Sequence, residues 1–208
     1  MSTMVHPGAA MLSELAKWVS GADVEWLWRP TEARPRVYFA NHSSHLDALV
    51  LLAALPAPIR GLTRPVACQE YWQGSRLRSY MAGRVFGSVL IPRSPGALFA
   101  GRAVISSLVR ELERGCSLIL FPEGTRGTGE AIAEFQSGLY QLCRERPGLE
   151  AVPVYLENLN RVLPKGRLLP APSRSRVIFG APLRVEPGET RPVFLQRARR
   201  ALEDLGNR

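Results

Sequence analysis

The chain has 208 residues, 46% apolar and 22% charged, which fits one globular domain able to bury a core and excludes a disordered chain. Basic residues number 27 against 18 acidic, a formal charge of +9, so the protein suits a negative partner: nucleic acid, an anionic membrane or a phosphorylated substrate. All but two of the basic residues are arginine, Lys17 and Lys165 being the exceptions; arginine forks match phosphate and carboxylate, and a skewed genome base composition gives the same bias.

Met11, Leu12, Leu15, Trp18 and Val19 recur at helical spacing among Ser13, Glu14 and Lys17, so the first segment reads as a short amphipathic helix. It either docks on its own domain or lies in a membrane interface. Residues 1–30 are read as this N-terminal segment and 31–208 as the main domain. Beyond Pro30, short apolar runs alternate with helical stretches. The pattern predicts a strand over 36–40, a helix over 44–55, a strand over 62–67, a helix over 75–86 and a strand over 88–91. A long helix over 97–114, ended by Gly115, follows. Next come a strand over 117–121, a helix over 135–146, strands over 151–156 and 176–179, and a closing amphipathic helix over 192–205 with Gly206 as its cap.

No segment reaches the roughly 18 uninterrupted apolar residues of a spanning helix; the apolar run 48–55 is terminated by Pro56 and Pro58. The N-terminus lacks the charged-then-apolar layout of a secretory signal. Cys68, Cys116 and Cys143 show neither C-x-x-C spacing nor an even count, which implies a reducing compartment and no zinc site. The expectation is a cytoplasmic protein without a spanning segment. Strands alternating with helices predict an α/β fold, a single layered domain with a largely parallel central sheet flanked by helices. Such sheets gather their chemistry at the carboxyl ends of strands, here the loops after Ala40, Ile91 and Phe121.

The first of these loops reads Asn41-His42-Ser43-Ser44-His45-Leu46-Asp47. On one continuous helix His42 and Asp47 would stand about 140° apart, too far for contact. With the helix beginning near Ser44, His42 can fold back over the first turn toward Asp47, giving a general base with a fixed tautomer. Ser44 and Asp47 equally suit a capping box, in which Asp47 only completes the helix start. His45 reads as a bystander pointing away from the loop. The second loop, Phe121-Pro122-Glu123-Gly124-Thr125-Arg126-Gly127, has glycines that let backbone amides approach an anion and an arginine that can grip it bidentately. An ordinary polar turn with a local Glu123–Arg126 ion pair is the plainer alternative. It is not a Walker loop, because no G-K-[ST] follows. The strand 88–91 delivers Arg93 toward the same edge.

These segments resemble, in order, the motif blocks of the glycerolipid acyltransferases typified by lysophosphatidic acid acyltransferase. Asn41 to Asp47 looks like the N-H-x-S-x-x-D block. Gly87 to Arg93 resembles G-x-[IV]-F-[IV]-x-R, with Leu90 where the family has an aromatic. Phe121 to Arg126 matches F-P-E-G-T-R, and Val152-Pro153-Val154 falls where the family has its fourth block. Phe135-Gln136-Ser137-Gly138 sits where F-K-x-G is common, and the stretch from Leu163-Pro164-Lys165-Gly166 to Gly180 and Pro182 continues the likeness.

The resemblance implies acyl transfer from a thioester, acyl-CoA or acyl carrier protein, to the free hydroxyl of a lysophospholipid, foremost lysophosphatidic acid. Another lyso-lipid head group, in phospholipid remodelling or amino-acid lipid synthesis, is the alternative acceptor. His42 would be the general base and Asp47 its orienting partner. Arg93 and Arg126 would hold the acceptor's phosphate, Glu123 and Gly124 would shape the acceptor pocket, and Thr125 belongs to the same substrate-binding loop. No metal and no tightly bound cofactor are implied. Since some relatives carry longer anchors, the protein is expected to rest peripherally on the cytoplasmic face of an anionic membrane through residues 11–19, Trp26, Trp28 and surface arginines. Core packing of that segment is the other possibility. A covalent hydrolase lacks its G-x-S-x-G elbow, and Cys116, ahead of an apolar strand, reads as buried. A nucleic-acid module would rest on charge alone, without an RRM, KH or zinc signature, so no nucleic-acid partner is expected.

Overall fold

The apolar runs RVYFA, SLIL and EAVPVYLE lie side by side at the centre of one sheet in the computed structural model, which describes residues 21–30, 32, 34–70, 74, 87–92, 101–162 and 174–208. The seven described strands are β1 (Ala22–Trp26), β2 (Arg36–Ala40), β3 (Thr63–Cys68), β4 (Val89–Ile91), β5 (Ser117–Leu120), β6 (Glu150–Glu157) and β7 (Ser175–Phe179). Their spatial order is β1-β7-β6-β2-β5-β3-β4. Neighbours run parallel except β6 with β7, so the α/β fold with a largely parallel sheet is the one observed.

Side chains alternate across β2. Val37 and Phe39 enter a core with α3 (Arg102–Glu113), α4 (Gly138–Glu145) and α6 (Arg191–Gly206), whereas Tyr38 and Ala40 enter a second core with α1 (Asp47–Ala54). Cover on both faces is why the strand can be apolar at every central position. The chain leaves β2 through α1 on one face and β5 through α4 on the other. Adjacent strands whose connections part in this way leave a crevice at their carboxyl ends. The Val152-Pro153-Val154 block lies inside β6, where its partner passes from β7 to the 180–183 stretch. Gly180 N–H donates to the Pro153 carbonyl (2.9 Å), and Ala151 exchanges two hydrogen bonds with Leu183 (2.8 and 2.7 Å).

Several element boundaries differ from the sequence expectation, each for a local reason. Residues 22–26, read as part of the N-terminal segment, form β1 and pair with β7 from Ala22↔Ser175 to Trp26↔Phe179. The Trp26 indole stacks on Phe179 (centroids 3.8 Å apart), and the Arg36 guanidinium sits 5.3 Å from the Trp28 ring centroid. Both indoles offered above as membrane contacts are thus engaged with their own domain. The first helix does end ahead of Pro56, with Leu55 extended, but Pro56 and Pro58 have a second role that was not expected. They open a short helix, α2 (Ala57–Gly61), where a missing N–H does no harm. Helix α4 starts at Gly138 and not at 135, because Phe135 packs edge-on against Phe39 (6.2 Å) and Gln136 N–H is bonded to the Pro122 carbonyl (2.8 Å). A single turn, α5 (Leu159–Val162), follows Asn158, whose φ is +61°. The expected helices over 11–19 and 75–86, the start of the helix over 97–114, Arg93 and the 163–166 stretch lie outside the described residues.

At the amino ends of β2 and β6, Glu150 is 4% exposed and gathers three arginines. Arg36 Nε (2.8 Å), Arg184 Nη2 (2.8 Å) and the Arg34 guanidinium all donate to it. Burial pushes the Glu150 carboxyl up, but the hydrogen bonds from Arg184 and Arg36 and the charges of Arg36 and Arg34 outweigh it and hold the group below its ordinary value. Among the described residues no helix is long and apolar enough to cross a membrane.

Candidate active site

Where β2 ends, Asn41 extends it with a side chain. Its Nδ2 donates to the Leu156 carbonyl (2.9 Å) and its Oδ1 accepts the Leu156 N–H (2.8 Å), so a buried amide supplies one more rung against β6. His42 follows at the rim of the crevice. Asp47, the first residue of α1, is fully buried. Its Oδ2 accepts from His42 Nδ1 (2.7 Å) and from the N–H groups of Ser43 (2.7 Å) and Ser44 (2.9 Å).

Asp47 therefore serves both readings of the motif at once: it satisfies amides ahead of the helix and it holds the imidazole. The helix does not begin at Ser44 as expected. A turn occupies the intervening residues, with Leu46 N–H donating to Ser44 Oγ (3.3 Å) and Asp47 N–H to the Ser44 carbonyl (3.4 Å).

An ionised carboxylate only accepts, so the bond to Asp47 puts the His42 proton on Nδ1 and the basic lone pair on Nε2. The Phe121 ring stacks on the imidazole at 4.2 Å with 21° between planes, fixing its tilt. The side chain remains 24% exposed, open enough to meet a substrate.

The loop after β5 is shaped by its own residues. Pro122 and Glu123 are the middle of a turn closed by Gly124 N–H to the Phe121 carbonyl (3.0 Å), a place that suits proline. Gly124 then takes φ +75°, a conformation that a Cβ disfavours. Glu123 is 5% exposed and turns inward. Its Oε1 accepts the His42 N–H (2.7 Å), and its Oε2 accepts the Ala133 N–H (3.0 Å). Gly127 N–H donates to the His42 carbonyl (2.8 Å), so both main-chain groups of His42 are bonded to this loop. Burial pushes the Glu123 carboxyl above its ordinary value; the Ala133 and His42 amides and the His42 side chain pull it back only in part, and the Asp47 charge raises it further.

Glu123 and Arg126, the partners of the plainer reading, go separate ways. Arg126 Nη1 is hydrogen-bonded to Nε2 of exposed His45. His45 is thus brought to the site and not turned away from it. Thr125 is exposed, its hydroxyl near the Arg126 carbonyl (3.4 Å). Asn41 and Gly127 stand within or beside the motif blocks, yet nothing in their spacing announces these bonds. Asn160 supports the loop from α5: its Nδ2 donates to the Thr128 carbonyl (2.8 Å), and a Cβ on Gly129 would fall 2.6 Å from that same nitrogen.

Chemically, the crevice offers an imidazole backed by a buried carboxylate, with a guanidinium on the neighbouring loop. It can take a proton from a hydroxyl whose carrier bears an anion. Cys116 and Cys143 do not compete as nucleophiles there, since both are buried and burial pushes the Cys143 thiol up to about 12. Among the described residues no group of three or more His, Cys, Asp or Glu could hold a metal ion.

Residues 27–157 match the family model described as Acyltransferase. The lyso-ornithine lipid O-acyltransferase of Pseudomonas aeruginosa is 33% identical over 168 residues, 67% of this chain and 60% of that protein. A 1-acyl-sn-glycerol-3-phosphate acyltransferase of Limnanthes alba is 26% identical over 171 residues, 78% of this chain and 56% of that one. The chain therefore spans 60% or less of the length of these two relatives. The crystal structure of the 1-acyl-sn-glycerophosphate (LPA) acyltransferase PlsC from Thermotoga maritima has the same fold, with TM-score 0.72 at 20% identity over 96% of this chain and 79% of its own. The family match covers more than half of the chain and includes the loops that carry His42, Asp47, Glu123 and Arg126: the chain belongs to the glycerolipid acyltransferase family.

Proposed function

We propose that the protein moves a fatty acyl group from acyl-CoA or acyl carrier protein to the free hydroxyl of a lysophospholipid, with lysophosphatidic acid giving phosphatidic acid as the first acceptor to test. The observation that carries this reading is the 2.7 Å bond between His42 Nδ1 and buried Asp47 at a strand end facing the crevice. In the proposed reaction His42 Nε2 takes the hydroxyl proton as the oxygen attacks the thioester carbonyl carbon. A C–O bond forms and the carbonyl oxygen carries the negative charge. Collapse of this intermediate breaks the C–S bond, and the imidazolium returns its proton to the departing sulfur, so the histidine ends neutral. Asp47 stabilises the imidazolium in between and keeps Nδ1 as the donor.

Arg126, and Arg93 as the resemblance implies, hold the acceptor's anionic head group. The scheme uses no metal and no resident cofactor. Its proposed place is the cytoplasmic face of an anionic membrane, which holds the acceptor and complements the +9 charge of the chain. An acceptor with an amino-acid head group is the second reading, favoured by the 33% identity to a relative named for lyso-ornithine lipid.

The test incubates purified protein with radiolabelled acyl-CoA and a panel of lysolipids. Wild type should yield labelled diacyl product, and His42→Ala should lose about 10²–10⁴-fold in kcat. Undiminished transfer by His42→Ala would overturn the scheme.

A further inference from the structure

The motif blocks assign no task to His45, the second histidine of the first loop. It stands in the turn between Ser44 and Asp47, exposed, with Nε2 hydrogen-bonded to Arg126 Nη1 across the crevice. A guanidinium has donors and no acceptor, so Nε2 must accept and the His45 proton must sit on Nδ1. An arginine on an exposed loop samples many rotamers, and holding one N–H removes much of that freedom before a ligand arrives while leaving the other donors for an anion. The two loops are also locked together at His42, through Glu123 Oε1 (2.7 Å) and Gly127 N–H (2.8 Å). The guanidinium is thereby held at a set place relative to the proposed base.

We propose that His45 is a positioning residue: it fixes Arg126 to receive an anionic group of the acceptor's head, a phosphate or a carboxylate, and so favours lyso-lipids that carry such a group over those that carry none. The inference rests on the reading in which Arg126 binds that head group. His45 acts on binding and takes no proton from the substrate.

Equilibrium binding tests it without requiring turnover. The probes are short-chain lysophosphatidic acid, lyso-ornithine lipid and a monoacylglycerol of the same chain length. Calorimetry is run on wild type, His45→Ala, His45→Gln, Arg126→Ala and the His45→Ala/Arg126→Ala double variant. His45→Ala should weaken binding of a probe bearing a phosphate or carboxylate roughly tenfold, and His45→Gln, whose amide oxygen accepts the same N–H, should restore it. In the Arg126→Ala background the His45 change should add nothing, and monoacylglycerol should bind all five proteins alike. Whichever of lysophosphatidic acid and lyso-ornithine lipid shows this pattern identifies the head group. Unchanged binding of both lysophosphatidic acid and zwitterionic lyso-ornithine lipid by His45→Ala, or a loss that persists without Arg126, overturns the inference. Transfer from labelled acyl-CoA, measured in parallel, keeps the two ideas apart: wild type that binds but never transfers counts against the acyltransferase reading and not against His45.

Discussion

Three donors converge on a single carboxylate oxygen, Asp47 Oδ2, and the geometry of the proposed base depends on it. Glu123 acts on the same histidine from the other side, through its main chain. Both of its oxygens are acceptors in use, at 2.7 and 3.0 Å, so Glu123→Gln must set an amide N–H₂ against one of two N–H donors. Its expected effect is a fall in kcat of up to about 10²-fold, the scale of a small misplacement of a reacting group, with the acceptor KM little changed. Steady-state kinetics over a range of acceptor concentrations checks this. A raised KM with kcat intact would instead make Glu123 a wall of the acceptor pocket, as the family resemblance implies. The nearness of His42 to Asp47 was legible in the sequence, because a helix starting after Ser44 leaves the histidine free to fold back. The inward turn of Glu123 and the Arg126–His45 bond were not. Which way a side chain leaves a turn depends on what lies behind the loop, and here that is a strand end 81 residues away in the chain.

Strands with both faces covered announce themselves, since Val37 to Ala40 of β2, Leu118 to Leu120 of β5 and Ala151 to Val154 of β6 form unbroken runs without a charged residue, polar Arg36, Ser117 and Glu150 being confined to the amino ends. β1 does not, because it lies at the sheet edge and alternates half-buried Val24 and Trp26 with exposed Asp23 and Glu25, a pattern too short to stand out. Helix starts were also misplaced, at Ser44 and Phe135, where side chains and loop amides find better partners outside the helix. Asn41 shows how an element can be continued by a residue that propensity would call a breaker: its amide makes the donor and acceptor pair that the next ladder residue would have made. Asn41→Ala leaves the Leu156 N–H and carbonyl without that partner in a buried place. The variant should lose about 1–3 kcal/mol in urea unfolding, together with activity, since His42 is the next residue. Full stability in Asn41→Ala would show that the rung is dispensable.

Across the whole domain, charge is organised at two opposite edges of the sheet, with the crevice at one and Glu150 with its arginines at the other. Since Glu150 is held below its ordinary value, the native state binds fewer protons than the unfolded chain. The stabilisation is fully present above the ordinary carboxylate value and is lost as pH falls through the depressed native one. Glu150→Gln should cost about 3 kcal/mol at neutral pH, near the low end for an unpaired buried charge because Arg34 and Arg184 reach solvent. Thermal melts across pH should show the gap between wild type and variant narrowing in acid; a gap that stays constant would remove Glu150 from the acid response. The two hydrogen bonds that the His42 main chain makes to the loop after β5 also limit how the domain can breathe. A gate formed by residues 121–127 could not swing outward alone, because it would drag His42 with it and dismantle the proposed base. In the proposed reaction, entry of the acceptor and departure of product therefore fall to the other walls of the crevice, while the proposed base and the arginine loop move together.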